Sequence, residues 1–184
     1  MMSVSFIAPM FNAISRRMAL PLSIVFATVL LSACASNSGI PAPKELSKLD
    51  LTIHASDDVN LTEKRATPVM VRIYELKSDK AFQDADYFSL KDNDKTKLGE
   101  DLLVKNEYIL RPGDSQTIVR KSSPDTVAIG VLAGYQDLSH SVWRVVYKLP
   151  KAPDVAWYRA VIPDNKVKLL ITLESDAIKV TEAK

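Results

Sequence analysis

Apolar and polar side chains alternate along most of the chain. Leu49, Leu51, Ile53 and Ala55 alternate with Asp50, Thr52, His54 and Ser56, the period of two that marks a half-buried strand. Over 68–76, Val69, Val71 and Ile73 alternate with Met70, Arg72 and Tyr74, and Pro68 takes the first position, where a missing N–H is tolerated. Runs at 107–110, 115–121, 126–135, 142–149, 157–162, 167–174 and 178–181 read as further strands. Arg111-Pro112-Gly113-Asp114, Ser122-Ser123-Pro124-Asp125 and Pro163-Asp164-Asn165-Lys166 separate them with residues that preset or permit turn dihedrals. Many short strands at this spacing predict a mainly all-β fold, a two-sheet antiparallel β-sandwich.

One interval breaks the rhythm. Residues 79–104 carry Phe82, Ala85, Phe88, Leu90, Leu98, Leu102 and Leu103, with Asp79 and Asp86 placed as helix N-caps. Two or three short helices are expected, capping one end or edge of the sandwich. Phe82, Phe88, Leu98 and Leu102 are spaced to face inward.

The N-terminus follows a third pattern. Arg16 and Arg17 precede an apolar run from Met18 to Leu31, which ends in small residues, the layout of a secretory signal. Residues 18–33 fall short of the about 20 apolar residues a membrane span needs, Pro21 lies near their start and no basic cluster follows. Leu31-Ser32-Ala33-Cys34 resembles a bacterial lipobox. That resemblance implies a diacylglyceryl group on the sulfur, cleavage before Cys34 and acylation of the new amine. Cys34 is the single cysteine in 184 residues, so no intramolecular disulfide can form. An intermolecular disulfide is the weaker reading beside Leu31, Ser32 and Ala33. Ser15-Arg16-Arg17 resembles a twin-arginine signal, but Ala19 stands where that motif favours a large apolar residue, so both export routes remain compatible.

The expected organisation is therefore a removed signal over 1–33, a lipidated Cys34 with a linker over 34–47, and one domain over 48–184 with a helical insertion at about 79–104. The polar, Pro-containing stretch after Cys34 has no periodicity and reads as a tether. Fully extended, 35–46 would reach about 40 Å. Removing 1–33 takes away Arg16 and Arg17 and no acidic residue, leaving 22 basic and 22 acidic side chains. A neutral domain has no global basic field of the kind that recruits nucleic acid.

Chemistry for catalysis or cofactors is sparse. His54 lies on the polar side of the first strand and His140 in a predicted loop, too far apart in sequence to read as a zinc or catalytic pair. Asp92-Asn93-Asp94 with Thr96 echoes the start of a calcium loop but lacks its central glycine and late glutamate, so a solvated helix-to-helix connection is the expectation. Five glycines leave little room for a phosphate-binding loop. Trp143 and Trp157 sit in strand-like runs with apolar neighbours, which favours packing over sugar stacking. No enzyme, no small-molecule substrate and no cofactor are expected, apart from covalent lipid on Cys34.

The loop between the first two strands stands out. Asp57-Asp58-Val59-Asn60-Leu61-Thr62-Glu63-Lys64-Arg65-Ala66-Thr67 is eleven residues long and polar, with Val59 and Leu61 as isolated apolar positions. Hairpin loops are commonly two to five residues. Long loops on a rigid scaffold often carry recognition, although length by itself fits a mobile surface loop equally well.

Several segments together resemble the TssJ family, the outer-membrane lipoprotein of the bacterial type VI secretion system. They are the lipobox, Asn60 in the first long loop, Pro68 through Leu76, Phe82 through Leu90, Leu98 through Leu102, Leu110-Arg111-Pro112-Gly113, Ala128 through Tyr135, and Trp143-Arg144. The resemblance covers nearly all of the chain after Cys34. It implies a transthyretin-like sandwich with a helical insertion, lipid-anchored in the outer membrane and facing the periplasm. It also implies a non-enzymatic role in assembling the type VI membrane complex, by binding the C-terminal periplasmic domain of the inner-membrane protein TssM. The family's contact is the loop between the first two strands, here Asp57 to Thr67. Two other classes fit a lipid joined to a small β-rich domain: a pilotin-like secretin-assembly lipoprotein, and a periplasmic ligand-binding lipoprotein with an exposed aromatic pocket.

Overall fold

The computed structural model describes residues 46–150 and 166–183. The expected signal, Cys34, the linker up to residue 45, and the strand and turn read at 157–166 lie outside them, apart from Lys166. Among the described residues, eight strands form two four-stranded sheets. In order they are β1 (Lys48–Ala55), β2 (Val69–Leu76), β3 (Leu102–Leu110), β4 (Ser115–Lys121), β5 (Ala128–Ala133), β6 (Arg144–Lys148), β7 (Lys166–Leu173) and β8 (Ile178–Glu182). One sheet runs β4-β1-β7-β8 and the other β3-β2-β5-β6.

The alternation in β1 does what a period of two predicts. Leu49, Leu51, Ile53 and Ala55 are fully buried, and Val167, Leu169, Ile171 and Leu173 of β7 stand beside them in register. Across the interior they meet Val69, Val71 and Ile73 of β2 and Ile129, Val131 and Ala133 of β5. Among the described residues, the strand pairs are antiparallel except β1 with β7, which is parallel. Two expected turns are also in place. Asp114 N donates to Arg111 O at 3.0 Å with Gly113 at φ +82°, the geometry that Pro at the second and Gly at the third position permit. The second closes one residue later than read from the sequence, over 123–126, with Thr126 N donating to Ser123 O at 3.1 Å across Pro124 and Asp125.

The insertion comprises α1 (Lys80–Asp84), α2 (Tyr87–Leu98) and a 3-10 turn (Gly99–Asp101). It covers the outer face of the β3-β2-β5-β6 sheet, not an end or edge as the sequence led us to expect. Phe82, Ala85, Tyr87, Leu90 and Leu98 pack there on Tyr74, Leu76, Ala128 and Leu132. That is why β5 is buried on both faces. The close approach requires a glycine on β5: a Cβ at position 130 would lie 3.0 Å from the Phe82 ring and 3.1 Å from Leu76.

Two arginines of the sheet hold the helices by their carbonyls. Arg144 Nη1 donates to Phe82 O at 2.8 Å and Ala85 O at 2.5 Å; Arg72 Nη1 donates to Leu90 O at 3.0 Å and Lys91 O at 2.6 Å. Of the two expected caps, Asp86 accepts from Ser89 N at 3.0 Å, whereas Asp79 makes no side-chain cap and instead accepts from Gln83 and pairs with Lys148.

Phe88 departs from the inward face assigned to it. It is 62% exposed while Phe82 is fully buried, because the extended Asp86 between the two helices resets the helical phase. Phe82→Ala is expected to cost about 3–5 kcal/mol and Phe88→Ala well under 1 kcal/mol. Parallel denaturant melts of the two variants check this.

The Asp92-Asn93-Asp94 stretch is likewise not a solvated connection. It lies within α2 at a kink, with Asn93 at φ −135°, and Asp94 points inward. Its carboxylate accepts from Lys105 Nζ at 2.7 Å and from Tyr74 Oη at 3.3 Å, with Arg72 Nη1 at 3.5 Å. Burial opposes its charge, but the Lys105 hydrogen bond and charge, the Lys95 N–H and Arg72 outweigh that and hold the carboxyl below its ordinary range. A depressed folded-state value means that Asp94 stabilises the fold above about pH 3.9, its unfolded value, and that this contribution fades as pH falls through the lower folded value. Asp94→Asn is expected to lower the unfolding free energy at neutral pH by about 1–3 kcal/mol. It should also flatten the acid limb of a stability profile, as read by melts between pH 2 and 7.

Candidate functional site: the loop end of the sandwich

Three connections meet at one end of the sandwich: the β1–β2 loop, the β5–β6 loop and the β7–β8 turn. The first divides into a neck and a tip. Val59, one of the two isolated apolar positions of the loop, is fully buried and belongs to the main core. Asn60 beside it is also buried, with φ +51°, a left-handed conformation that asparagine tolerates better than most residues. Its Nδ2 donates to Thr67 Oγ1 at 2.8 Å and Pro68 O at 3.2 Å, and its Oδ1 accepts from Gln136 N at 2.8 Å. Thr67 Oγ1 returns a bond to Asn60 O at 2.9 Å. One side chain thus closes its own loop and ties it to the β5–β6 loop. Backbone bonds from Asn60 N to Glu174 O, 3.4 Å, and Leu61 N to Ser175 O, 3.1 Å, add the β7–β8 turn.

The tip is a small hairpin. Thr62 and Arg65 exchange two backbone bonds of 2.9 Å each, and Glu63 and Lys64 between them have φ +50° and +62°. Two positive-φ residues make a turn whose usual occupants are Asn and Gly. Leu61 is 47% exposed, and Glu63, Lys64 and Arg65 project into solvent. Asp57 and Asp58 are exposed at the loop's start, where Ser56 Oγ donates to Asp58 Oδ1 at 2.6 Å; Ala66 is half-buried. The structure therefore brings all eleven predicted residues into one loop but divides them between a packed neck and a projecting tip.

Sequence reasoning missed the other two connections. Tyr135, Ser141 and Asp176 join Asn60 and Leu61 around a cleft of about 220 Å³. His140 and Asp137 stand at its mouth, with His140 Nδ1 2.8 Å from Asp137 Oδ2. Tyr135 is buried, and burial, then the nearby Asp176 and Glu174 carboxylates, push its hydroxyl well above the ordinary tyrosine range. Elsewhere, Trp143 is half-buried, edge-on to Tyr87 at 5.5 Å, with the Arg144 guanidinium 4.7 Å above its ring. It is a packing residue and not an open stacking platform. Among the described residues, no group of three His, Cys, Asp or Glu side chains could hold a metal ion. None of the described helices is long and apolar enough to cross a membrane.

Two four-stranded sheets, a helical cover on one outer face and a long braced loop at one end define a β-sandwich class of small domain. The chain belongs to the type VI secretion lipoprotein family described as VasD, EvfM, TssJ, which residues 47–176 match. The T6SS lipoprotein TssJ1 from Pseudomonas aeruginosa is 34% identical, with a TM-score of 0.66 over 76% of this chain and 98% of that one. Serratia marcescens Lip, a membrane-bound component of the type VI secretion system, is 28% identical, with a TM-score of 0.65 over 76% and 99%. A chain in a structure of the TssM C-terminal domain from EAEC shares the fold, at 24% identity and a TM-score of 0.52 over 74% and 98%. No curated protein matches the chain. Family membership decides against the pilotin-like and ligand-binding alternatives.

Proposed function

We propose that this protein is a non-enzymatic docking lipoprotein of the type VI membrane complex. Acylated Cys34 holds it at the periplasmic face of the outer membrane, and the β1–β2 loop binds the C-terminal periplasmic domain of a TssM-like inner-membrane protein. The observation that carries the reading is the braced loop. Asn60 and Thr67 fix its neck to the sandwich, so the exposed tip of Leu61, Glu63, Lys64 and Arg65 is presented with little ordering left to do on binding. Preorganisation of this kind lowers the entropic cost of association. A rigid tip with one apolar side chain among charges fits a protein surface better than a small molecule or a nucleic acid.

The lipid and the loop divide the work. Attachment confines the domain to a surface, and the loop selects what reaches it from the opposite membrane. The test is a calorimetric titration of the full chain, solubilised in detergent, with the TssM-like periplasmic domain. Saturable binding in the micromolar range or tighter, about −8 kcal/mol or better, is expected. A flat titration would remove the partner assignment.

A further inference from the structure

The cleft behind the loop tip contains more than the docking reading uses. The Tyr135 hydroxyl is buried among its lining residues, with only the Glu174 backbone N–H beside it and no hydrogen bond of good geometry, and Ser141 Oγ is buried there without a partner. Buried hydroxyls of this kind ordinarily find partners. At the rim, the Asp176 carboxylate accepts one long bond from Ser175 Oγ, 3.3 Å, and is otherwise open to an incoming donor. Asp137 is taken up by Ser139 Oγ at 2.7 Å and by His140. No lysine or arginine is among the described residues that line the cleft. The cleft therefore combines anionic rim groups with two hydroxyls able to accept, and its own chain supplies no full-time cation.

Size narrows the occupant. Small-molecule sites usually span about 300–1,000 Å³, and about 220 Å³ here is room for a single side chain. Several acceptors lining one cleft suit a planar guanidinium, with five donors in a fixed fork, better than a point-charge ammonium. We propose that this cleft receives an arginine side chain presented by the docking partner, anchored by Asp176 at the rim and by the Tyr135 and Ser141 hydroxyls at the floor. This deepens the docking reading above and rests on it for the source of the arginine. Asn60 and Leu61 line the same cleft, so the tip and the arginine pocket form one continuous surface.

Two measurements separate this inference from the docking reading. The first is an amide-resolved NMR titration of the detergent-solubilised full chain with acetyl-arginine-N-methylamide, with the glutamine analogue as neutral control. Saturable shifts are expected at Gln136, His140, Ser141 and Asp176 with the arginine probe only. They should weaken at least tenfold in Asp176→Asn and several-fold in Tyr135→Phe, which keeps the ring and removes only the hydroxyl. The second is titration of the same variants with the TssM-like periplasmic domain, where Asp176→Asn should weaken binding about tenfold. Equal shifts with both probes, or shifts unchanged by Asp176→Asn, would overturn the arginine pocket. Partner binding that persists undiminished in Asp176→Asn would overturn the partner's use of it and leave the docking reading standing. If the wild type binds the arginine probe in the cleft but not the domain, the docking reading fails and the pocket remains.

Discussion

Cys34→Ser is expected to abolish incorporation of labelled palmitate and to remove the protein from the outer-membrane fraction. Attachment of a diacylglyceryl group to this side chain needs a sulfur nucleophile, and serine replaces a group with appreciable thiolate character at neutral pH by a hydroxyl with almost none. Cys34 is the chain's single cysteine, so no neighbouring thiol can substitute. The consequence for attachment is all-or-none: one acyl chain holds a protein only reversibly, with K of about 10⁴ M⁻¹, and stable anchoring takes several. Ala35 follows the cysteine, where an aspartate would favour inner-membrane retention, so the wild type should fractionate with the outer membrane. Label on the serine variant would defeat the lipobox reading, and wild type recovered mainly from the inner membrane would defeat the placement.

The fold was legible where a local rule has one reading. Leu49, Leu51, Ile53 and Ala55 alternate, and all four are buried; Pro112 and Gly113 demand the turn they occupy. Pairing was less so, because a period of two assigns a strand to a face without saying whether its neighbour runs parallel. The β1–β7 pair shows this: Leu51 against Leu169 would alternate identically in either direction. The insertion was visible as a break in rhythm, but its phase was not. Asp86 caps a new helix, and a phase carried across it from Phe82 turns Phe88 the wrong way.

At the candidate site, length and polarity marked the β1–β2 loop and concealed its division. Val59 and Leu61 look alike in sequence, yet one joins the core and the other faces solvent. Asn60 was the one local signal of the difference, since asparagine suits a left-handed turn and can bond its own backbone surroundings. Ser141 and Asp176 carried no signal, and Tyr135 stood only at the end of the strand-like run 126–135, with nothing to tie it to this loop. They reach the loop only through tertiary contacts across intervals of more than 70 residues, as in the Gln136 N bond to Asn60.

The neck and tip of that loop should respond to mutation in opposite ways. Asn60→Ala removes three hydrogen bonds and leaves a Cβ-bearing residue without side-chain support at φ +51°. With about 1 kcal/mol for each bond and a similar amount for strain, it should cost about 3–4 kcal/mol and loosen the adjoining β5–β6 loop. Replacing all of 57–67 by a short linker would remove Val59 and Asn60 together and so confound folding with recognition. The informative variant is confined to the tip: Leu61→Ala with Glu63→Asn and Lys64→Gly. Asn-Gly is the preferred pair for a two-residue turn with both φ positive, so Tm should hold or rise slightly, since the strain at Glu63 and Lys64 is relieved. Binding to the TssM-like periplasmic domain should nevertheless fall by at least tenfold, about 1.4 kcal/mol, because the apolar contact and both charges are gone while the neck is untouched. A thermal melt and a calorimetric titration on this one protein decide the matter: an unchanged melt with wild-type affinity would take the tip out of the mechanism.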